Sequence, residues 1–132
     1  MISHHDGCFG CGQANLFGLQ LELDDAGDGS LRGRFFVKQD HQGPPGYAHG
    51  GVLATALDEA MSLVAHHAGV PALTKRLEVD LRAPAPVGAF VEVSARVDSR
   101  DERRLRASAE ARDGERLIAA ATGEFSVRES VG

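Results

Sequence analysis

The stretch from Tyr47 to Glu59 contains residue types at a spacing that could stabilise charge during a reaction. His49 precedes Gly50 and Gly51, and the two glycines open a long segment without proline. If this segment is a helix, its first N–H groups have no Cβ beside them. Together with the positive end of the helix dipole, such groups can stabilise a negatively charged oxygen. The alternative is that the two glycines only permit a tight turn into the helix.

Asp58 supplies a carboxylate in the middle of the same segment. It lies among apolar residues, where burial of a carboxylate is costly. Desolvation there would raise its pKa towards the range that suits a general base. Thr55 lies three positions before Asp58 and Ser62 lies four positions after it, so a helix would align the three residues in one polar stripe.

Hydrophobic periodicity, glycine and proline place the elements that must position these residues. Residues 1–18 are expected to form an irregular lead-in. A helix is predicted from Gly50 to Ala68, ending at Gly69 with Pro71 beyond it. It is apolar almost all round, which predicts that it is buried. Alternating apolar and polar residues predict strands at 19–23, 31–38, 74–82, 89–97, 105–112 and 117–127.

This order of elements predicts an α+β fold. Two strands, one buried helix and a run of antiparallel strands are expected to form one sheet wrapped around a central helix. A chain of 132 residues is long enough for one core, so a single domain over 1–132 is expected.

Composition excludes several function classes. The net charge is −5, with one Tyr, no Trp and no basic tract, which argues against nucleic acid as a partner. No apolar run reaches the roughly 18 residues that a membrane span needs, so no membrane partner is expected. The first residues lack the basic and apolar regions of a signal peptide, and a cytoplasmic location is therefore expected.

The His-Gly-Gly sequence at 49–51, with an acid nine positions after the histidine, resembles the signature of hotdog-fold acyl-CoA thioesterases. The branch it resembles includes phenylacetyl-CoA and 4-hydroxybenzoyl-CoA thioesterases. The predicted order of strands and helix is similar to that fold over nearly the whole chain. The resemblance implies a hotdog fold, an antiparallel sheet wrapped around one long central helix. It also implies hydrolysis of an acyl-CoA or acyl-carrier-protein thioester, with no metal or organic cofactor.

The resemblance also implies catalytic roles for four residues. Asp58 matches the acid that acts as general base on water, or as nucleophile forming a mixed anhydride. Gly50 matches the residue whose backbone N–H polarises the thioester carbonyl, and His49 matches the histidine that orients the loop or contacts substrate. Thr74, sixteen positions after Asp58, matches a hydroxyl that helps to position water. Acyl transfer needs such a base and such a donor.

Five further residues are expected to contact the substrate. They are the second glycine of the motif, a threonine further along the helix, the acid next to Asp58, a histidine before the loop, and an arginine that could bind coenzyme A phosphates: Gly51, Thr55, Glu59, His41 and Arg82. The alternative for the histidine is that it is solvated, and for the arginine that it is an ordinary strand-surface charge.

Glu59 is the competing carboxylate, because it directly follows Asp58. It points about 100° away around the helix, so both acids cannot face one carbonyl. Either acid could instead face solvent or pair with Arg76 or Arg82. The motif spacing favours Asp58 as the catalytic acid.

Cys8 and Cys11 are the only cysteines, so no disulfide framework supports the fold. They resemble part of a Cys-x-x-Cys-Gly-x-x-Asn-x-x-Gly-Leu segment of one thioesterase subgroup. A metal site with His4 or His5 is one interpretation, but structural zinc usually has two such pairs. A redox pair would open a helix after a strand, which this one does not. We expect a packed lead-in whose cysteines neither catalyse nor bind metal.

The geometry of one helix predicts a homo-oligomer, either a homodimer or a dimer of dimers. Gly50 and Asp58 are eight residues apart, about 12 Å along a helix axis. A donor and a base acting on one carbonyl must each approach within about 3 Å of the reacting atoms. Two antiparallel copies of the helix would meet this requirement.

Two alternative functions remain open. One is a non-catalytic acyl-CoA-binding hotdog protein, and the other is a hydratase or dehydratase, which would need an acid–base pair on a different motif.

Overall fold

Strands from both halves of the chain form one six-stranded antiparallel sheet, which packs against one α-helix. The computed structural model describes residues 1–128. The helix and strands are α1 Gly50–His67, β1 Glu22–Asp25, β2 Leu31–Phe36, β3 Ala72–Leu81, β4 Phe90–Arg100, β5 Arg104–Asp113 and β6 Arg116–Val127. A short 3-10 helix, Gln39–His41, precedes the loop that leads into α1. The strand order is β1-β2-β4-β5-β6-β3, with all pairs antiparallel. The predicted α+β hotdog fold is confirmed.

The core lies between α1 and one face of the sheet. Leu57 and Met61 of α1 are fully buried, as are Phe125 and Leu105 of the sheet. Residues of β5 and β6 that face the helix are mostly alanines, and their small side chains allow the backbones to pack closely. Burial of this apolar area is the main stabilising contribution to the fold.

The first predicted strand begins later than its sequence pattern indicates. Leu19 and Leu21 are buried as the alternation requires, but regular pairing with β2 starts only at Glu22. Between the two leucines, Gln20 has a left-handed backbone with a φ of 53°. The N–H groups of Leu19 and Leu21 donate to the carbonyls of Phe9 and Gly10 in the lead-in. The lead-in therefore takes the hydrogen bonds that a neighbouring strand would take.

The lead-in, residues 1–18, covers part of one side of α1. The backbone at Gly10 lies so close to the helix that a Cβ there would be 2.4 Å from Cγ of Glu59. Hydrogen bonds from Cys8 N–H to His5 O and from Gly12 N–H to Cys8 O fold the segment into tight turns. Part of the surface of α1 is therefore covered by the lead-in of the same chain.

Strand β3 forms one edge of the sheet and has no neighbour beyond it within residues 1–128. It is ten residues long, and three of its leucines are exposed: Leu73 by 54%, Leu77 by 36% and Leu81 by 52%. Natural proteins usually cover or shorten such apolar edges. Leu81 also contacts the start of α1, since a Cβ on Gly50 would lie 2.9 Å from its Cδ1. Within residues 1–128, no helix is long and apolar enough to cross a membrane.

Candidate active site

Asp58 and Thr74 meet between the middle of α1 and the start of β3. The Thr74 hydroxyl donates a hydrogen bond of 2.7 Å to Oδ1 of Asp58. Thr74 pairs with Phe125, whose ring is in the core, so the register of β3 and β6 directs Thr74 towards the helix. Burial raises the pKa of Asp58 above its ordinary value, the Thr74 hydrogen bond lowers it, and the negative charge of Glu59 raises it. The pair combines a half-buried carboxylate with a hydroxyl that orients it.

The N-terminus of α1 is capped by His49. Its Nδ1 accepts a 2.8 Å hydrogen bond from the Gly51 N–H. A Cβ on Gly51 would lie 3.0 Å from Nδ1, so glycine leaves room for the imidazole. Because Nδ1 accepts, the proton of the neutral ring is on Nε2. Gly50 N–H has no acceptor among residues 1–128, and it is therefore the donor at this helix end that a ligand could use.

The loop before α1 is held rigidly by its own backbone. The His49 N–H donates to His41 O at 2.8 Å, and the Ala48 N–H donates to Ala85 O at 2.8 Å. A Cβ on Gly43 would lie 2.8 Å from Cα of His49, so this close approach requires glycine. These contacts fix the direction in which the first N–H groups of α1 point.

His41 lies behind this loop and is only 4% exposed. Its Nδ1 accepts from the Lys38 N–H at 3.0 Å, and its Nε2 is 3.5 Å from Gly18 O. Burial lowers the pKa of His41, which favours the neutral ring. The structure thus places this predicted substrate residue among backbone groups that join the lead-in to the loop.

Thr55 and Arg82 also have local partners. The Thr55 hydroxyl donates to Gly51 O, one helical turn back, at 2.8 Å. Arg82 is exposed and forms a 2.7 Å ion pair with Asp80 on the outer face of the sheet. Strand alternation places Asp80 and Arg82 on the face opposite to Leu81, which contacts the helix end. Arg82 is therefore not brought next to Asp58 by the fold of one chain.

Glu59 faces the lead-in, not the Asp58–Thr74 pair. Its carboxylate lies 2.9 Å from Nδ1 of His4 and 3.4 Å from Sγ of Cys8, and its side chain is 11% exposed. The hydrogen bond that the His4 ring donates to the Glu59 carboxylate raises the pKa of His4 to about 9. Ser62 also faces the lead-in, with its Oγ 3.2 Å from Nε2 of His4. The predicted polar stripe of Thr55, Asp58 and Ser62 is thus divided among three different partners.

The structure contains a cluster of four residues that the sequence patterns do not predict: His4, Cys8, Cys11 and Glu59. One potential ligand atom from each residue lies within 4.8 Å of the others. Burial raises the pKa of the Cys11 thiol to about 12. The spacing of the cysteines and the nearby His4 are visible in the sequence. Nothing in the sequence shows that residue 59 packs against residues 4, 8 and 11.

A large groove lies elsewhere on the described chain. It has a volume of about 1250 Å³ on the outer face of the sheet, and its walls include Glu78, Asp80, Arg96, Arg100 and Glu110. Large pockets are the default candidates for binding sites. This groove is open, and none of the predicted site residues lines it.

Known proteins similar to this chain share its central segment. The sequence profile of the Thioesterase superfamily matches residues 45–120. A Pseudomonas aeruginosa protein, provisionally named an esterase, is 35% identical over 112 residues, which cover 72% of this chain and 84% of that protein. A human acyl-coenzyme A thioesterase is 35% identical over 86 residues; these cover 64% of this chain but only 35% of the longer human protein. A solved thioesterase superfamily protein matches with a TM-score of 0.86 and 25% identity, over 92% of this chain and 60% of that one. The segment that matches the profile contains Gly50, Asp58 and Thr74.

Proposed function

The chain belongs to the thioesterase superfamily, and we propose that it hydrolyses an acyl-CoA thioester to a free acid and coenzyme A. The observation that carries the proposal is the half-buried Asp58 carboxylate held by the Thr74 hydroxyl at 2.7 Å. A human relative named an acyl-coenzyme A thioesterase supports coenzyme A as the thiol. An acyl-carrier-protein thioester has the same reacting bond and is the alternative substrate.

Asp58 acts as the general base in the proposed reaction. Thr74 occupies Oδ1, and no donor within residues 1–128 occupies Oδ2, which can therefore accept a proton from water. Water oxygen bonds to the thioester carbonyl carbon as its proton moves to Asp58, and the carbonyl oxygen becomes an oxyanion. When this intermediate collapses, the C–S bond breaks and the proton passes from Asp58 to the leaving sulfur. The products are the carboxylic acid and the free thiol.

A nucleophilic role for Asp58 is the alternative mechanism. In it, a carboxylate oxygen bonds to the carbonyl carbon, the thiolate leaves, and water hydrolyses the resulting mixed anhydride. A single turnover in oxygen-18 water detects the nucleophilic mechanism when water attacks the aspartyl carbon of the anhydride. A general base leaves the heavy oxygen in the product acid, whereas water attack on the aspartyl carbon of an anhydride leaves it in Asp58.

Gly50 N–H is the proposed donor to the oxyanion. His49 occupies the Gly51 N–H, which leaves the preceding N–H for the substrate. Donors of this kind commonly contribute about 2.7–4 kcal/mol to acyl transfer. We assign His49 the role of holding this helix end in position, with its Nε2–H directed away from the cap.

Each active site is proposed to contain groups from two subunits of a homodimer, alone or within a dimer of dimers. Gly50 and Asp58 of one chain are about 12 Å apart along α1, so one helix cannot place both at one carbonyl. With two helices antiparallel across a two-fold axis, Gly50 of the partner subunit faces Asp58. The exposed leucines of β3 support this arrangement, because they form an uncovered apolar edge beside Gly50.

A panel of aromatic, short-chain and medium-chain acyl-CoAs, assayed with a thiol-detecting reagent, tests the proposed activity. Release of coenzyme A with repeated turnover is expected for at least one class, and the preferred class identifies the acyl group. Tight binding of acyl-CoAs without thiol release would contradict hydrolysis and would support a non-catalytic binding protein. Release only from acyl-carrier-protein thioesters would assign the alternative substrate.

A further inference from the structure

We propose that His4, Cys8, Cys11 and Glu59 bind a structural zinc ion that fastens the lead-in to the middle of α1. The four side chains supply two sulfurs, one imidazole nitrogen and one carboxylate oxygen, all within 4.8 Å of one another. Structural zinc is almost always bound by four ligands in a tetrahedron, and Cys sulfur, His nitrogen and Asp or Glu oxygen are its usual ligand atoms. This proposal replaces the expectation, drawn from a single Cys-x-x-Cys pair, that the cysteines bind no metal.

Three of the six distances between the ligand atoms are close to the edges of a zinc tetrahedron, and all six are within 4.8 Å. With Zn–S near 2.3 Å and Zn–N or Zn–O near 2.1 Å, a sulfur and a nitrogen or oxygen ligand are separated by about 3.6 Å. Nδ1 of His4 lies 3.6 Å from Sγ of Cys11 and 3.8 Å from Sγ of Cys8. Sγ of Cys8 lies 3.6 Å from Oε2 of Glu59. Three separations therefore already match the coordination geometry to within about 0.2 Å.

The separation between His4 and Glu59 requires a small movement. Nδ1 of His4 and Oε2 of Glu59 are 2.9 Å apart, which is a hydrogen-bond distance. Tetrahedral nitrogen and oxygen ligands are separated by about 3.4 Å, so these two atoms must move apart by about half an ångström to admit an ion. A rotation of the Glu59 carboxylate within its side chain is sufficient for a change of this size.

Neighbouring groups orient the ligands as groups around metal sites do. Nε2 of His4 is 3.2 Å from the Ser62 hydroxyl, and this contact leaves Nδ1 directed at the cluster. The backbone N–H of His4 donates to Sγ of Cys11 at 3.2 Å, and the Ser3 hydroxyl is 3.6 Å from the same sulfur. Hydrogen bonds of this kind hold ligating imidazoles in position, and N–H donors stabilise thiolates.

Two glycines allow the backbone to bring the ligands together. A Cβ on Gly10, between the cysteines, would lie 2.4 Å from Cγ of Glu59. A Cβ on Gly12, directly after Cys11, would lie 2.3 Å from Asp6 O. The turn that carries the cysteines can therefore rest against the helix only because these positions lack side chains.

Four protein ligands leave no open position for substrate, so the ion would be structural and not catalytic. His4, Cys8 and Cys11 come from the lead-in, and Glu59 comes from α1. Coordination would thus join a segment without regular secondary structure to the residue directly after Asp58. Because the unfolded chain lacks the assembled site, zinc affinity would contribute to the stability of the fold.

Metal analysis of the purified wild-type chain tests the site directly. Protein prepared without added metal is expected to contain about one zinc per chain, as a closed four-ligand site requires. After exchange with cobalt(II), it is expected to show thiolate-to-metal charge-transfer absorption and the visible bands of a tetrahedral ion. Neither measurement depends on the folding of a variant.

Matched variants identify the ligands. Cys11→Ser and His4→Ala are expected to lose most of the zinc and the cobalt absorption, whereas His5→Ala, at the exposed neighbouring histidine, is expected to keep both. Thiol titration should show Cys8 and Cys11 protected until a chelator is added. Metal-free wild-type protein with two freely reactive thiols would overturn the proposal. A Cys8–Cys11 disulfide in the mass spectrum, or equal zinc in wild type and Cys11→Ser, would also overturn it.

Discussion

Replacing Thr74 with valine tests whether the hydroxyl positions Asp58. Valine has nearly the same shape, so the change removes one hydroxyl that donates to Oδ1 at 2.7 Å. A hydrogen bond to a charged group contributes about 1.5–3 kcal/mol, and each 1.36 kcal/mol in the barrier changes the rate tenfold. The lost bond therefore corresponds to between about 10-fold and 150-fold in kcat. Thr74 is solvent-accessible and water can replace part of the bond, so we expect a decrease near the lower limit, about tenfold.

Steady-state kinetics with the preferred acyl-CoA measures this effect, and Thr74→Ser is the matched control. Serine keeps the hydroxyl, so its kcat should stay within a few fold of wild type, while KM should change little in either variant. Thermal unfolding of both proteins checks that the edge strand is intact. If Thr74→Val retains wild-type kcat, the hydroxyl does not position the base and this reasoning is refuted.

Two further changes test the helix end. His49→Ala removes the side chain that caps the Gly51 N–H, and loss of such a cap lowers the free energy of unfolding by about 1 kcal/mol. We therefore expect a lower unfolding temperature and a lower kcat. An unchanged unfolding temperature would contradict the capping role. Gly50→Pro deletes the proposed donor at a helix position that accepts proline, and homodimers of this variant or of Asp58→Asn should be nearly inactive. Mixing the two variants in equal amounts should restore about a quarter of wild-type activity. Half of the dimers are then mixed, and the two-fold axis gives each mixed dimer one intact site of two. No recovery in mixed dimers would show that the sites are not shared.

Much of the fold follows from local signals in the sequence. The glycine pair at 50–51 and Gly69 mark the helix ends, and alternation marks the strands, because these signals act over a few residues. The sequence pattern places the start of β1 too early, because the lead-in, which has no periodicity, takes the hydrogen bonds of Leu19 and Leu21. The pairing of β3 with β6 at the sheet edge depends on contacts between distant residues, which a local pattern does not report.

The contacts of the candidate site are likewise predictable from the sequence only in part. The resemblance to thioesterases predicts catalytic roles for Asp58 and Thr74, and a hydrogen bond joins these two residues in the structure. The pairing of Arg82 with Asp80 could have been anticipated, because residues two apart on a strand share a face. The contact of Glu59 with His4 and Cys8 could not, because it depends on how an irregular segment folds back over the helix.

The turnover of Asp58→Asn tests the central claim most directly. The substitution keeps the size of the side chain and removes the proton acceptor, and loss of a general base costs about 10²-fold or more in rate. The matched control is Asp80→Asn, which changes an exposed carboxylate on β3. We predict that Asp58→Asn binds the preferred acyl-CoA as wild type does and releases coenzyme A at least about 10²-fold more slowly, while Asp80→Asn turns over normally. Near-wild-type turnover by a folded Asp58→Asn protein would contradict the account.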